Sequence, residues 1–251
     1  MKIIIPSLGR SNACPTSKWI QQAGREVVFA VHSDELEAYS HAYPWATVGL
    51  VPDSCRKHTG KLRKYILDNM EEPFFFCDDD ISIGVKSNQT VKEIFDVLEN
   101  HIKCGASMAG LGQQLFSNAQ IDKTTIINGD AWALRNQFVA TVYGIDPKVF
   151  RYCPLEELAV YEDVALIIHA IQRGGGTITS YMATHTNKSP DEGGCNAWRD
   201  KPIIVECLNK LVELYPGICS IRDTYSTTHS QYIGIGLRVA WSKIKKVPNG
   251  K

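Results

Sequence analysis

The first half of the chain alternates short apolar runs with polar stretches of helical character. Lys2–Ile5 reads as a strand stopped by Pro6-Ser7-Leu8-Gly9-Arg10, and Ser11 or Asn12 is placed to cap a helix running to about Ala23. Glu26–Val31 and Thr47–Val51 repeat the strand pattern, with a helix opening at Ser33-Asp34-Glu35 between them and a basic helix from Arg56 to about Asn69 after them. The next run, Phe74-Phe75-Phe76-Cys77, is apolar at every position, the pattern of a central strand covered on both faces. Strand–helix–strand repetition predicts an α/β fold: a Rossmann-like, mostly parallel central sheet with helices on both faces.

The second half is less regular. Val91–Asn100 has helical spacing, and residues 105–150 hold short strand-like pieces at Ala106–Ala109, Thr124–Ile127, Ala131–Leu134, Phe138–Tyr143 and Val149–Phe150, divided by glycines. These predict a small mixed or antiparallel addition. A helix within Pro154–Gln172 ends at Arg173-Gly174-Gly175-Gly176 and turns into a strand at Thr177–Tyr181. Residues 183–198 read as a mobile loop, Pro202–Leu214 as an amphipathic helix, and the remainder as a basic tail. No linker or internal repeat divides the chain, so residues 1–251 are expected to form one domain with halves at 1–104 and 105–251.

Composition narrows the partners. Lys+Arg and Asp+Glu are both 27 in 251 residues, so no overall field draws the protein to polyanions, and such binding must come from local patches. No apolar stretch is long enough to span a membrane, and the run at Ile3-Ile4-Ile5 is too short for a signal peptide, so a cytoplasmic protein is expected. The eight scattered cysteines show no zinc-type spacing and read as reduced thiols.

Five clusters carry candidate chemistry. Asp78-Asp79-Asp80 directly follow the aromatic strand, at the end where open α/β sheets bind ligands. Three adjacent carboxylates repel one another; Mg²⁺ or Mn²⁺ relieves that repulsion and leaves positions for phosphate oxygens, whereas a solvated acidic turn is the bland alternative. Arg56, Lys57 and Lys61, with Arg10 from the first loop, are candidate phosphate ligands near a helix start, although no Walker A spacing is present and a solvated basic face would look the same. Glu162-Asp163 could supply a general base, or could simply complement a helix dipole. His185 and Lys188 lie in the glycine-bearing segment, which could fold over a ligand and bring an imidazole to a cation or a donor to a phosphate. Finally, residues 221–251 carry six basic residues against one acid, with Tyr232 and Trp241 interleaved, a composition suited to a phosphate backbone with stacked bases or to a solvated terminus.

Over roughly residues 2–198 these motifs resemble a glycosyltransferase of the GT-A fold, and more narrowly the TET-associated glycosyltransferases of phages. The resemblance implies metal-dependent transfer from a nucleotide-sugar, a UDP-sugar by analogy, to the hydroxymethyl group of a modified pyrimidine such as 5-hydroxymethylcytosine in bacteriophage DNA, in the host cytoplasm. Asp78 and Asp80 then match the D-x-D motif, with Asp80 the direct metal ligand and Asp79 beside it, and His185 matches a late metal ligand. Ser7 and Arg10 fall in the donor loop, Asp34 approaches the nucleoside, and Asp163 or Glu162 becomes the base of an inverting displacement. A glycan, lipid or protein acceptor would preserve the chemistry. A sugar-nucleotide nucleotidyltransferase would instead need a G-x-G-T-R loop where this chain has Pro6-Ser7-Leu8-Gly9-Arg10. Neutral net charge and the lack of a recognisable DNA-binding module depart from the pattern of a DNA-modifying protein.

Overall fold

The computed structural model describes residues 1–85, 89–113, 126–187, 198–224 and 234–247. In chain order they form β1 (Ile3–Pro6), β2 (Val27–Val31), α1 (Leu36–Ala42), β3 (Thr47–Leu50), α2 (Thr59–Asp68), β4 (Phe74–Cys77), β5 (Ile81–Val85), α3 (Val91–Lys103), β6 (Met108–Gln113), β7 (Ala133–Arg135), β8 (Val142–Ile145), α4 (Pro147–Phe150), α5 (Glu162–Gln172), β9 (Thr177–Asn187), α6 (Lys201–Leu214), β10 (Cys219–Thr224) and β11 (Gly234–Val239). Among the described residues nine strands make one sheet in the order β3-β2-β1-β4-β8-β6-β9-β5, with β7 also on β9. β3, β2, β1 and β4 are parallel, β8 runs against both β4 and β6, and β9 is parallel to β6. The sheet is mostly parallel, and it passes without a break across the expected division at residues 104 and 105, because β4 pairs with β8.

The aromatic strand behaves as its pattern predicts. Phe75 and Cys77, with Ile3 and Ile5 of β1, pack under Ile94, Phe95 and Leu98 of α3. Phe74 and Phe76, with Ile4, face the other way onto Leu166 and Ile167 of α5 and Leu211 of α6. Burying each phenylalanine contributes about 1.5–3 kcal/mol, which fixes β4 at the middle of the sheet. The strand order also creates a switch point: from β1 the chain builds outward through β2 and β3, then returns to place β4 on β1's other side. The loops after β1 and β4 therefore part at their carboxyl ends and leave a crevice.

Four local expectations are corrected. The helix expected up to Ala23 is two short 3-10 turns, Pro15–Lys18 and Ile20–Ala23, because this segment is tied to the acidic turn after β4 through Cys14 and Thr16. Val149–Phe150 belongs to α4, started by Pro147 and capped by Asp146, whose carboxylate accepts the Lys148 N–H at 3.0 Å. Residues 183–187 continue β9 and pair with β5. The expected tail contains an antiparallel hairpin, β10–β11. Of the strand expected at Thr124–Ile127, residues 124 and 125 lie outside the described residues, and Ile127 makes a bridge with Asp130. The seven described cysteines are free thiols, and no described helix is long and apolar enough to cross a membrane.

One close approach sets the geometry below. Gly60, in the first turn of α2, lies against the 3-10 turn Leu155–Glu157, and a Cβ there would run into the backbone carbonyl oxygens of Leu155 and Leu158. The helix start is held to the same segment by Thr59, whose N–H and hydroxyl both donate to the Ala159 carbonyl at 3.0 and 2.7 Å. Gly60→Ala should therefore destabilise the protein by about 2 kcal/mol or more, overpacking outweighing the roughly 1 kcal/mol that alanine gains in helix propensity. Urea unfolding followed by circular dichroism measures this, and an unchanged midpoint would contradict the close approach.

Candidate active site

The carboxyl ends of β1 and β4 open onto a cavity of about 450 Å³. Ser7 and Arg10 reach it from the loop after β1, Lys57 from the approach to α2, Asp78, Asp79 and Asp80 from the turn after β4, and Glu162 and Asp163 from the start of α5. Residues far apart in sequence thus meet at the switch point.

The acidic turn is pinned by its backbone. The Thr16 hydroxyl donates to the Asp78 carbonyl at 2.6 Å and accepts the Ile81 N–H at 3.0 Å, while the Thr16 N–H donates to the Asp79 carbonyl at 3.3 Å. The Asp78 N–H donates to the Thr141 carbonyl at 2.8 Å. With its main chain satisfied, the turn separates its three carboxylates. Asp79 is buried, holding the Ser7 hydroxyl and the Arg10 guanidinium. Asp78 and Asp80 stay half-buried on the cavity wall. Arg10 also lies 3.3 Å from Asp80, and its N–H donates to the Tyr39 hydroxyl at 3.1 Å; that hydroxyl is 2.5 Å from Ser7 Oγ. Burial pushes the Asp79 carboxyl upward, and Arg10 opposes the shift. For Asp78 burial carries the pKa up to about 7, opposed by Arg63 and reinforced by Asp80 and Asp79.

Arg63 is the residue that sequence reasoning missed. It is buried on α2, with Nε 2.7 Å from Glu162 Oε1, one terminal nitrogen 3.2 Å from Asp78 Oδ1, and the other bonded to the Tyr143 hydroxyl. Its guanidinium also lies over the rings of Phe76 and Tyr143, at 5.3 and 5.6 Å. The Thr59 hydroxyl lies 2.7 Å from the other Glu162 oxygen and shares its one proton between that oxygen and the Ala159 carbonyl. Thr59 and Arg63 are four residues apart and so share a helix face; that spacing, beside a glycine, was the available signal. Asp163 accepts the Val164 N–H at 2.8 Å and faces the cavity. Burial, with Glu162 beside it, pushes its carboxyl up to about 6, while Arg63 pulls the other way.

Backbone strain gathers here as well. Lys57, Thr141 and Tyr161 have φ of 55°, 68° and 65°, and all three line the cavity. Tyr161 immediately precedes the acidic pair, so the pair's presentation depends on a left-handed residue. His32, Asn187 and Arg199 also line the cavity, and none of the three was a candidate from sequence.

Four candidates are not on its wall. Arg56 pairs with Asp34 at 2.7 Å and with Asp53 at 3.4 Å, and that pairing holds the Asp34 carboxyl below its usual range. Lys61 is exposed, because Thr59 and Arg63 take the inward face of α2. His185 is a buried member of β9 beneath the floor, its Nε2 2.6 Å from the Thr141 hydroxyl oxygen, and burial lowers its imidazole to about 4. The residue expected as a late metal ligand is thus engaged by Thr141 and does not line the cavity; Asn187, opposite Ile81 in the ladder, does. Lys188 lies outside the described residues. Among the described residues no three His, Cys, Asp or Glu side chains are grouped closely enough to enclose a metal ion by themselves.

A family model described as TET-Associated Glycosyltransferase matches residues 1–178. No curated protein matches the sequence. Among solved structures, GalNAc-T7 with UDP, GalNAc and Mn²⁺ superposes with a TM-score of 0.51 at 10% identity, covering 74% of this chain and 43% of that one. S. aureus TarS gives 0.49 at 14% identity, covering 84% of this chain and 40% of that one. A glucose-1-phosphate thymidylyltransferase-like protein of Bacillus anthracis, solved with a sucrose, gives 0.47 at 12% identity, covering 74% and 89%. The chain thus spans less than half the length of the first two. At these identities the likeness concerns the fold, which is the GT-A arrangement expected from the sequence.

Arg63→Met should cost about 3–5 kcal/mol in stability, because it leaves Asp78 and Glu162 without their buried cation. Chemical unfolding measures the loss, and a change below about 1 kcal/mol would show that solvent supplies the compensation instead.

Proposed function

Because the chain belongs to the TET-associated glycosyltransferase family, we propose that it transfers a sugar from a UDP-sugar to the hydroxymethyl group of a modified pyrimidine in phage DNA. One observation carries this reading: the D-x-D carboxylates and the Glu162–Asp163 pair face a single cavity, so a donor diphosphate and an acceptor hydroxyl can meet between them.

The donor set fits a hard divalent cation. Asp78 and Asp80 offer oxygen ligands on the cavity wall, and Mg²⁺ or Mn²⁺ at nucleotide sites needs only one or two carboxylates, completed by phosphate oxygens and water. Such an ion would supply charge neutralisation for the departing diphosphate. His185 has no part in this assignment. Arg10 holds Asp79 and approaches Asp80, keeping the acidic turn compact, and Lys57 at the rim adds positive charge where the diphosphate would lie. Asp34, Arg56 and Lys61 are not among the residues that line the cavity, and this reading gives them no part.

The acceptor oxygen attacks the anomeric carbon, the bond from that carbon to the diphosphate oxygen breaks, and Asp163 takes the hydroxyl proton. Glu162 is committed to Arg63 and Thr59, which leaves Asp163 the better base. Its raised pKa brings it closer to the working pH and so strengthens it as a proton acceptor. A base inside duplex DNA would have to leave its stack to reach this cavity, at a cost of a few kcal/mol.

Two outcomes follow. Asp80→Ala should abolish both transfer to hydroxymethylated DNA, read by mass spectrometry of digested nucleosides, and Mn²⁺-dependent UDP-sugar binding, read by calorimetry. Full wild-type activity in excess chelator would refute the metal assignment. For Asp163, only the ionised form accepts a proton, so kcat/KM should fall as pH drops through about 6. Asp163→Asn should remove that limb and lower the rate by about 10²–10⁴-fold; a variant retaining the acid limb would shift the role elsewhere.

A further inference from the structure

We propose that a second concavity beside the first, built against the β10–β11 hairpin, binds the stretch of acceptor strand flanking the reacting nucleotide, with phosphates on Arg222 and Arg238 and a base against Trp241 or Phe138. This rests on the DNA-acceptor reading above and assigns that acceptor a place on the hairpin, beyond the matched span of 1–178, together with Phe138 within it.

The concavity, of about 480 Å³, shares Phe138, Tyr161 and Asp163 with the main cavity. The carboxylate assigned to the acceptor hydroxyl thus stands at the junction of the two. An acceptor entering over the hairpin meets Asp163 from this side while a donor occupies the side of Asp78 and Asp80. Phe138 and Trp241 are exposed by 43% and 37%, large for rings of this kind, and among the described residues neither packs on another aromatic ring. Exposed aromatic faces are sequence-tolerant stacking platforms for bases.

The charge pattern agrees. Arg238 lies opposite Ser220 in the ladder and Arg222 is two residues beyond Ser220, so the two arginines project from one face of the hairpin. Both are exposed, and neither has a carboxylate partner among the described residues. The described part of residues 219–247 carries five basic residues against Asp223. Of these, Arg222 and Arg238 line the concavity, a local positive site of the form polyanion binding must take on a chain of zero net charge. A lipid-linked diphosphate would bring phosphate but no succession of flat rings, and a protein acceptor would bring rings without a run of phosphates, so a polynucleotide fits best.

The test uses the full chain and a short fluorescein-labelled single-stranded oligonucleotide with one 5-hydroxymethylcytosine. Fluorescence anisotropy should show Arg222→Ala/Arg238→Ala binding about tenfold more weakly, with the slope of log K against log salt reduced by about 1.4, roughly 0.7 per lost phosphate contact. Trp241→Ala should weaken binding about tenfold, at the low end of a lost stacking contact. Arg222→Lys/Arg238→Lys should restore most of the affinity, since a phosphate contact needs a charge rather than a fork. In steady-state assays the KM for DNA should rise far more than the KM for the UDP-sugar. If the wild type glycosylates DNA and these variants bind and react like it, the hairpin surface is overturned and the proposed function stands. If the wild type consumes UDP-sugar but binds no oligonucleotide and glycosylates only a lipid-linked or protein acceptor, the surface and the DNA acceptor both fall while glycosyl transfer survives.

Discussion

A guanidinium buried between two carboxylates ties the two sides of the cavity together. Arg63 reaches Asp78 on the turn after β4 and Glu162 at the start of α5, one buried cation in contact with both. Without it, the turn after β4 and the start of α5 would be separate acidic groups repelling one another across a shared space. Desolvating a cation of this kind is costly, and here two carboxylates, the Tyr143 hydroxyl and two aromatic faces compensate. The close seat of Gly60 makes the contact reachable, since it lets α2 approach the segment leading to Glu162.

Concentrating acids at one strand end has a visible electrostatic consequence. Asp79 is neutralised internally by Ser7 and Arg10 and serves as the anchor of the turn, while Asp78 and Asp80 remain on the wall. Burial raises the Asp78 carboxyl to about 7, so this group is poorly satisfied by protein alone, and the Asp163 carboxyl is raised for the same reason. Such poise is expected where a charged partner arrives from outside. The strained backbone at Thr141 and Tyr161 belongs to the same economy: both residues hold functional groups at the cavity in conformations that an ordinary loop would abandon.

Neutral net charge is compatible with a polyanionic acceptor because the charge is unevenly placed. Acids gather at the switch point, and Arg222 and Arg238 stand on the hairpin face beside it. The family relationship, established over residues 1–178, covers the parallel strands β1–β4 and the acidic turn, and the β10–β11 hairpin follows that span in the chain.

The alternation of the first half was legible because local pattern decides it: apolar runs closed by Pro, Gly or Asp make the parallel strands, and the unbroken run of Phe74–Cys77 identifies the strand covered on both faces. The position of the acidic turn followed from the same reading, since carboxylates adjoining a buried central strand sit at its carboxyl end, where open α/β sheets place ligands. The pairing of those acids was not legible. Arg63 looked like any member of a basic helix until α2 was seated against residues 155–159, and His185 looked available until β9 ran on through it and drew it under the floor. Strands and turns depend on neighbours along the chain, whereas the partner of a buried charge depends on which elements pack together, and only the assembled sheet and helices specify that.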